Sequence, residues 1–116
     1  MERTPAGFLL VALGGFLGAV SRHAVDLAVG DATGTGTFVV NVLGSFALGV
    51  LVTRAASRRT QLFVGTGALS SFTTYSTFAG DAVALGTVAG GRYVAASYAA
   101  GLAAALAGLI VGRRLQ

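Results

Sequence analysis

Apolar residues along this chain fall into four long runs separated by short polar segments. The first covers Gly7 to Ser21 and stops at Arg22 and His23, and the second covers Thr35 to Thr53 and stops at Arg54, Arg58 and Arg59. A third begins near Gln61 and reaches Leu85, and a fourth extends from Tyr93 to Val111, before Arg113 and Arg114. Ionisable groups are costly at membrane depth, so charges mark helix ends or functional positions. The pattern predicts four transmembrane helices, at about 7–21, 35–53, 61–85 and 93–111 of a single domain spanning 1–116. Roughly 20 apolar residues cross a hydrocarbon core of about 30 Å, so these lengths suit a thin bundle. The expected fold class is an all-α membrane protein.

Glycines add detail. Gly14 with Gly18 and Gly101 with Ala105 repeat the small-xxx-small spacing that lets membrane helices approach closely. Gly30, Gly34 and Gly36 predict a loop between the first two spans, and Gly90 with Gly91 predicts the turn before the fourth. The first run, preceded by Arg3, has the look of a secretory leader. Its likeness to the three later runs reads it as a helix instead.

Composition narrows the class. With 54% hydrophobic and 10% charged residues in 116, the chain carries more apolar surface than a small domain could bury from water, so lipid is its expected solvent. The lack of cysteine excludes disulfides, thiolate metal sites and Cys nucleophiles. The net charge of +4 does not indicate nucleic acid, because the eight basic residues, all Arg, lie between apolar runs rather than on one polar face. They read as topology signals. Four spans put Arg3, Arg54, Arg58, Arg59, Arg113 and Arg114 on one side and Arg22 and Arg92 on the other, six against two, which predicts cytoplasmic termini in a cell-membrane protein.

Polar residues inside the spans are candidates for chemistry, since each needs a partner where water is absent. Asn41 lies in the middle of the second span with Thr37 and Ser45 four residues to either side, on one helical face. This stripe admits two readings, a helix–helix hydrogen bond or a binding face. In the third span, residues 70–78 contain six Ser and Thr in nine positions. Such hydroxyls bond back to the helix backbone and bend or break it. Backbone freed at membrane depth survives only inside protein or beside a cavity, so the run predicts either a helix broken in mid-membrane or a hydroxyl packing face.

Four ordered motifs, covering nearly the whole chain, resemble the Fluc or CrcB family of fluoride channels. They are Gly14-Gly15 with Gly18-Ala19 and Arg22; Gly36-Thr37 through Asn41 to Gly44-Ser45-Phe46; Thr73-Thr74-Tyr75-Ser76-Thr77-Phe78; and Tyr93 with Ser97 and Gly101. The resemblance implies an antiparallel, dual-topology dimer with two fluoride pores at its interface and a structural Na+ on the two-fold axis, and no organic cofactor. It implies that the backbone carbonyls of Ser70 and Thr73 hold the sodium at a break in the third span. It assigns Thr37 and Asn41 to the pore, Tyr75 and Phe78 as the aromatic pair whose ring edges meet the anion, and Ser76 and Thr77 as a hydroxyl track. Tyr93 and Ser97 complete the wall, and Arg22 takes a vestibule position, with a lipid-anchoring helix end as its other reading. Asp81 stands where the family has an acidic residue, or is a helix-end charge. His23 reads as an interfacial residue.

Two departures bear on this assignment. Ser70 and Ser71 replace glycines usual in the family, and carbonyl ligation then requires a serine in suitable dihedrals. Tyr75 replaces Phe, keeping a ring edge and adding a hydroxyl. The implied activity is passive export of cytoplasmic fluoride, driven by the membrane potential at about 2.3 kcal/mol per 100 mV. The alternative is a small four-helix, proton-coupled drug or cation exporter. Such a carrier needs a carboxylate within a span, and Asp81, late in the third, is the candidate. No His and carboxylate grouping supports hydrolysis or redox chemistry. The arginine bias suggests one-way insertion, and hence an antiparallel heterodimer with a related subunit of opposite bias.

Overall fold

The computed structural model describes residues 4–30, 32–54 and 57–115, and among these the regular structure is all helical, without strands. Arg3, one of the topology-setting arginines, lies outside the described residues. Helix α1 spans Pro5–Val29. Thr4 caps it, its hydroxyl accepting from the Gly7 N–H at 3.0 Å, and Pro5 occupies the first turn, where a missing N–H costs nothing. The helix runs past Arg22 and His23, which therefore lie within it rather than at its end, and it carries Asp26 in its last turns. A short turn with positive φ at Gly30 and Gly34 leads into α2, Thr35–Thr53.

The third hydrophobic run is built in pieces. A single turn, α3 (Arg58–Thr60), opens it, its Ser57 hydroxyl accepting from the Thr60 N–H at 3.2 Å. A nine-residue π-helix follows over Gln61–Leu69, and α4 (Ser70–Phe72) returns to α geometry. Residues 73–75 are non-helical, Thr73 being extended at φ −85°, ψ 161°. Helix α5 (Ser76–Leu85) then ends at Gly86, whose φ of 89° is open to glycine, and α6 occupies Thr87–Arg114. The turn before α6 thus falls at Gly86, and Gly90 and Gly91 lie inside α6. Gly90 packs against the carbonyl of Ala82, so its use is close contact with α5.

Three helices, α1, α2 and α6, are long and apolar enough to cross a membrane. The chain is a multi-pass membrane protein in which α2 lies along α6 and α1 along the π-helix and α4. Glycines seal both seams. A Cβ on Gly14 or Gly18 would overlap the carbonyl of Phe63 or Ala68, and one on Gly67 would stand 2.7 Å from the carbonyl of Val11. In the second seam, Gly49 meets the Ala105 carbonyl and Gly108 the Phe46 carbonyl. Packing of this kind suits lipid, where helices associate by close backbone approach rather than by hiding apolar side chains. Accordingly, only Val40, Leu62 and Phe78 form a buried apolar core among the described residues, while Phe16, Leu27 and Val83 face outward.

Candidate functional site: the interruption at 73–75 and its partner helices

The hydroxyl-rich run stops its own helix. Both the N–H and the Oγ1 of Thr73 donate to the Leu69 carbonyl, at 3.0 and 2.9 Å, and Ser70 Oγ donates to the carbonyl of Thr66. The next residue turns away. In a continuing helix the Thr74 N–H would close on the Ser70 carbonyl, but here it donates to Asn41 Oδ1 at 2.9 Å. The Thr74 carbonyl in turn accepts from Asn41 Nδ2 at 2.9 Å. One amide side chain on α2 therefore satisfies both backbone groups of Thr74, a pairing a plain apolar helix could not offer. Thr74 also starts the next helix, its hydroxyl accepting from the Thr77 N–H at 3.2 Å. Gly44 makes room for this approach, since a Cβ there would overlap the Thr73 methyl.

Towards the start of α2, Thr37 donates to Asp81 Oδ2 on α5 at 2.9 Å, so Asp81 is tied to α2 and is not a free helix-end charge. Phe78 is the aromatic hub, 8% exposed, with ring centroids 5.8 Å from Tyr75, 5.4 Å from Tyr93 and 6.1 Å, edge-on, from Tyr98. Tyr75 itself is 72% exposed. On α6, the Tyr93 hydroxyl and Ser97 Oγ are buried without a hydrogen-bond partner among the described residues.

Two cavities flank this arrangement. One, of about 280 Å³, is bounded by Asn41, Phe78, Ser97, Tyr98 and Gly101 among others. The second, of about 420 Å³, opens on the π-helix side and is bounded by Gly65, Ser70, Thr73 and Thr74. Asn41, Ser45 and Tyr75 belong to both walls.

The structure thus gathers Thr37, Asn41, Tyr75, Phe78, Tyr93 and Ser97 around α2, α5 and α6. Ser76 and Thr77 open α5, both exposed, and do not line either of these cavities. Arg22 is half-buried inside α1, apart from both of them. Ser70 sits in ordinary right-handed geometry, φ −68°, ψ −25°, so the serine replacing glycine there carries no backbone strain. The Thr74 N–H, which a continuing helix would direct to the Ser70 carbonyl, goes to Asn41 instead. Asp26, inside α1, lies against Gly36 at the start of α2, a second helix-borne carboxylate. Tyr98 and Ser45 were not among the expected site residues. Ser45 was within reach, four residues beyond Asn41, whereas nothing in the local pattern distinguishes Tyr98.

Comparison with known proteins agrees with the motifs. A family model described as CrcB-like protein, Camphor Resistance (CrcB), matches residues 9–109. The chain is 45% identical over 107 residues to Fluoride-specific ion channel FluC 1 of Natronomonas pharaonis, covering 88% of this chain and 90% of that one. It is 46% identical over 109 residues to FluC 1 of Halobacterium salinarum (89% and 92% covered) and 43% identical over 112 residues to FluC 2 of the same strain (91% and 83%). With the match running through α1, α2, the interrupted third run and most of α6, the chain belongs to the CrcB family.

Proposed function

We propose that this chain is one subunit of a fluoride-selective channel that lets fluoride leave the cell passively. The observation that carries the reading is the set of unspent donors around Asn41. The hydroxyls of Tyr93 and Ser97 are buried with no hydrogen-bond partner among the described residues, and Asn41 Nδ2 keeps one hydrogen after binding Thr74. Buried donors left unpaired are costly, so a site that collects them is built for an acceptor. Fluoride is small and strongly hydrated, and a pore that strips its water must return donors of this kind. The ring edges of Tyr75 and Phe78 carry positive potential and add to them. The relatives named above, which are called fluoride-specific ion channels, match this chain over nearly its full length.

On this reading the interruption at 73–75 lies within the membrane, and the subunit pairs antiparallel with a second one that covers the exposed ring of Tyr75. A structural Na+ would be held by the carbonyls of Ser70 and Thr73, where oxygen donors suit a hard cation and fix the two broken helices to each other. Arg22 would stand at a vestibule and concentrate anions by its charge. The termini are cytoplasmic, and the Arg bias favours a related subunit of opposite orientation as the partner. The presence of FluC 1 and FluC 2 relatives in one strain is in keeping with such pairs. Export requires no ATP, since the negative interior drives the anion outward.

Asn41→Asp tests the site. It keeps an oxygen for the Thr74 N–H but removes the amide donor and adds a negative charge, and fluoride efflux from proteoliposomes is expected to fall by at least about a hundredfold. Efflux at the wild-type rate would take Asn41 out of the pore.

A further inference from the structure

The three polar residues on the working face of α2 are not equally engaged. Thr37 gives its hydrogen to Asp81, and Asn41 is bonded at both ends of its amide to Thr74. Ser45, next on that face, makes no hydrogen bond among the described residues, although a serine in a helix can always bond back to its own backbone. It is half-buried, and it belongs to the wall of both cavities. The other residues common to both walls are Asn41, with a single amide hydrogen left, and Tyr75, which is 72% exposed. Across from Ser45 on α6 stands Gly101. A Cβ there would lie 3.7 Å from Ser45 Oγ, ordinary contact, so the glycine is not required by packing. What the missing side chain does is leave the Ser45 hydroxyl open to the smaller cavity.

We infer that Ser45 is a further specificity-determining residue, its hydroxyl donating to the anion as it passes between the two cavities. The inference rests on the fluoride-channel reading. Its physical basis is donor supply, because a desolvated small anion needs several donors along its path and, on the wall shared by both cavities, Asn41 has only one N–H left to give. Ser45 adds another donor on the wall shared by both cavities, one turn along α2. A larger anion, more weakly hydrated, has less need of it, so the hydroxyl favours fluoride over chloride.

The experiment reconstitutes the full chain as wild type, Ser45→Ala, Ser45→Thr and Gly101→Ala in liposomes, with fluoride and chloride efflux followed by ion-selective electrodes and each variant checked by gel filtration. Ser45→Ala is expected to slow fluoride efflux about tenfold, the loss of one charge-assisted hydrogen bond, and to lower the fluoride-to-chloride ratio. Ser45→Thr restores both. Gly101→Ala, whose methyl fits without displacement, slows fluoride efflux by covering the hydroxyl. Should Ser45→Ala aggregate, Gly101→Ala decides: a well-behaved Gly101→Ala with wild-type efflux and selectivity overturns the inference. A wild type that conducts fluoride alongside an equally fast, equally selective Ser45→Ala overturns it too. A wild type that carries no fluoride overturns the channel reading and this inference with it.

Discussion

The two halves of α2 use opposite means of contact. Its C-terminal half meets α6 through residues without side chains, Gly49 against the Ala105 carbonyl and, from the other side, Gly108 against the Phe46 carbonyl. Its N-terminal half and centre reach out through polar side chains, Thr37 to Asp81 and Asn41 to Thr74. The first contact is dry and leaves nothing to bind. The second leaves donors over. The difference shows how a small membrane protein separates holding from binding: a glycine seam fixes α2 against α6, and so keeps Asn41 facing a peptide 33 residues away in sequence. Without the seam the amide would not be held; without the amide the interruption at 73–75 would expose an unpaired peptide.

Substitutions along α2 can break this comparison. Asn41→Leu strands both the N–H and the carbonyl of Thr74 and is expected to cost about 4 kcal/mol, read as lost thermal stability in detergent. A Leu variant as stable as wild type would show that the third run does not depend on α2. Gly108→Val forces a side chain into the Phe46 carbonyl and should cost about 3 kcal/mol, with α2 displaced rather than the interruption repaired. Crosslinking yield between cysteines introduced on α2 and α6 reports that displacement, and an unchanged yield would contradict the close seam. Thr37→Val leaves Asp81 without its donor, an expected loss of about 1.5 kcal/mol that Thr37→Ser recovers. At the dry end, Thr53 bonds to the carbonyls of Gly49 and Val50 in its own helix.

Much of this was legible in the chain itself, where a physical rule acts locally. The span of α2 is bounded by Gly34 and Arg54, and the crowding of hydroxyls from Ser70 to Thr77 marks where a helix competes with its own side chains. Charge misled at Arg22 and His23, because a helix can carry charges along an outer face well before it ends, and α1 continues to Val29. The Gly90-Gly91 pair misled because glycine serves close packing as readily as turning, and the positive φ falls at Gly86. The π-helix leaves no simple pattern of residues. Nor could spacing reveal that Asn41 pairs with Thr74, that Thr37 holds Asp81, or that Tyr98 meets Phe78 edge-on, since each joins elements brought together only by the fold.

The unspent donors beside Asn41 are the centre of this account, and selective anion efflux is what they predict. The direct measurement is efflux of fluoride and of chloride from liposomes containing the purified wild-type chain, each followed with its own electrode under a potassium diffusion potential. Fluoride should leave rapidly while chloride is retained, with no dependence on an imposed proton gradient. Chloride leaving as fast as fluoride, or fluoride moving only when protons do, would contradict it.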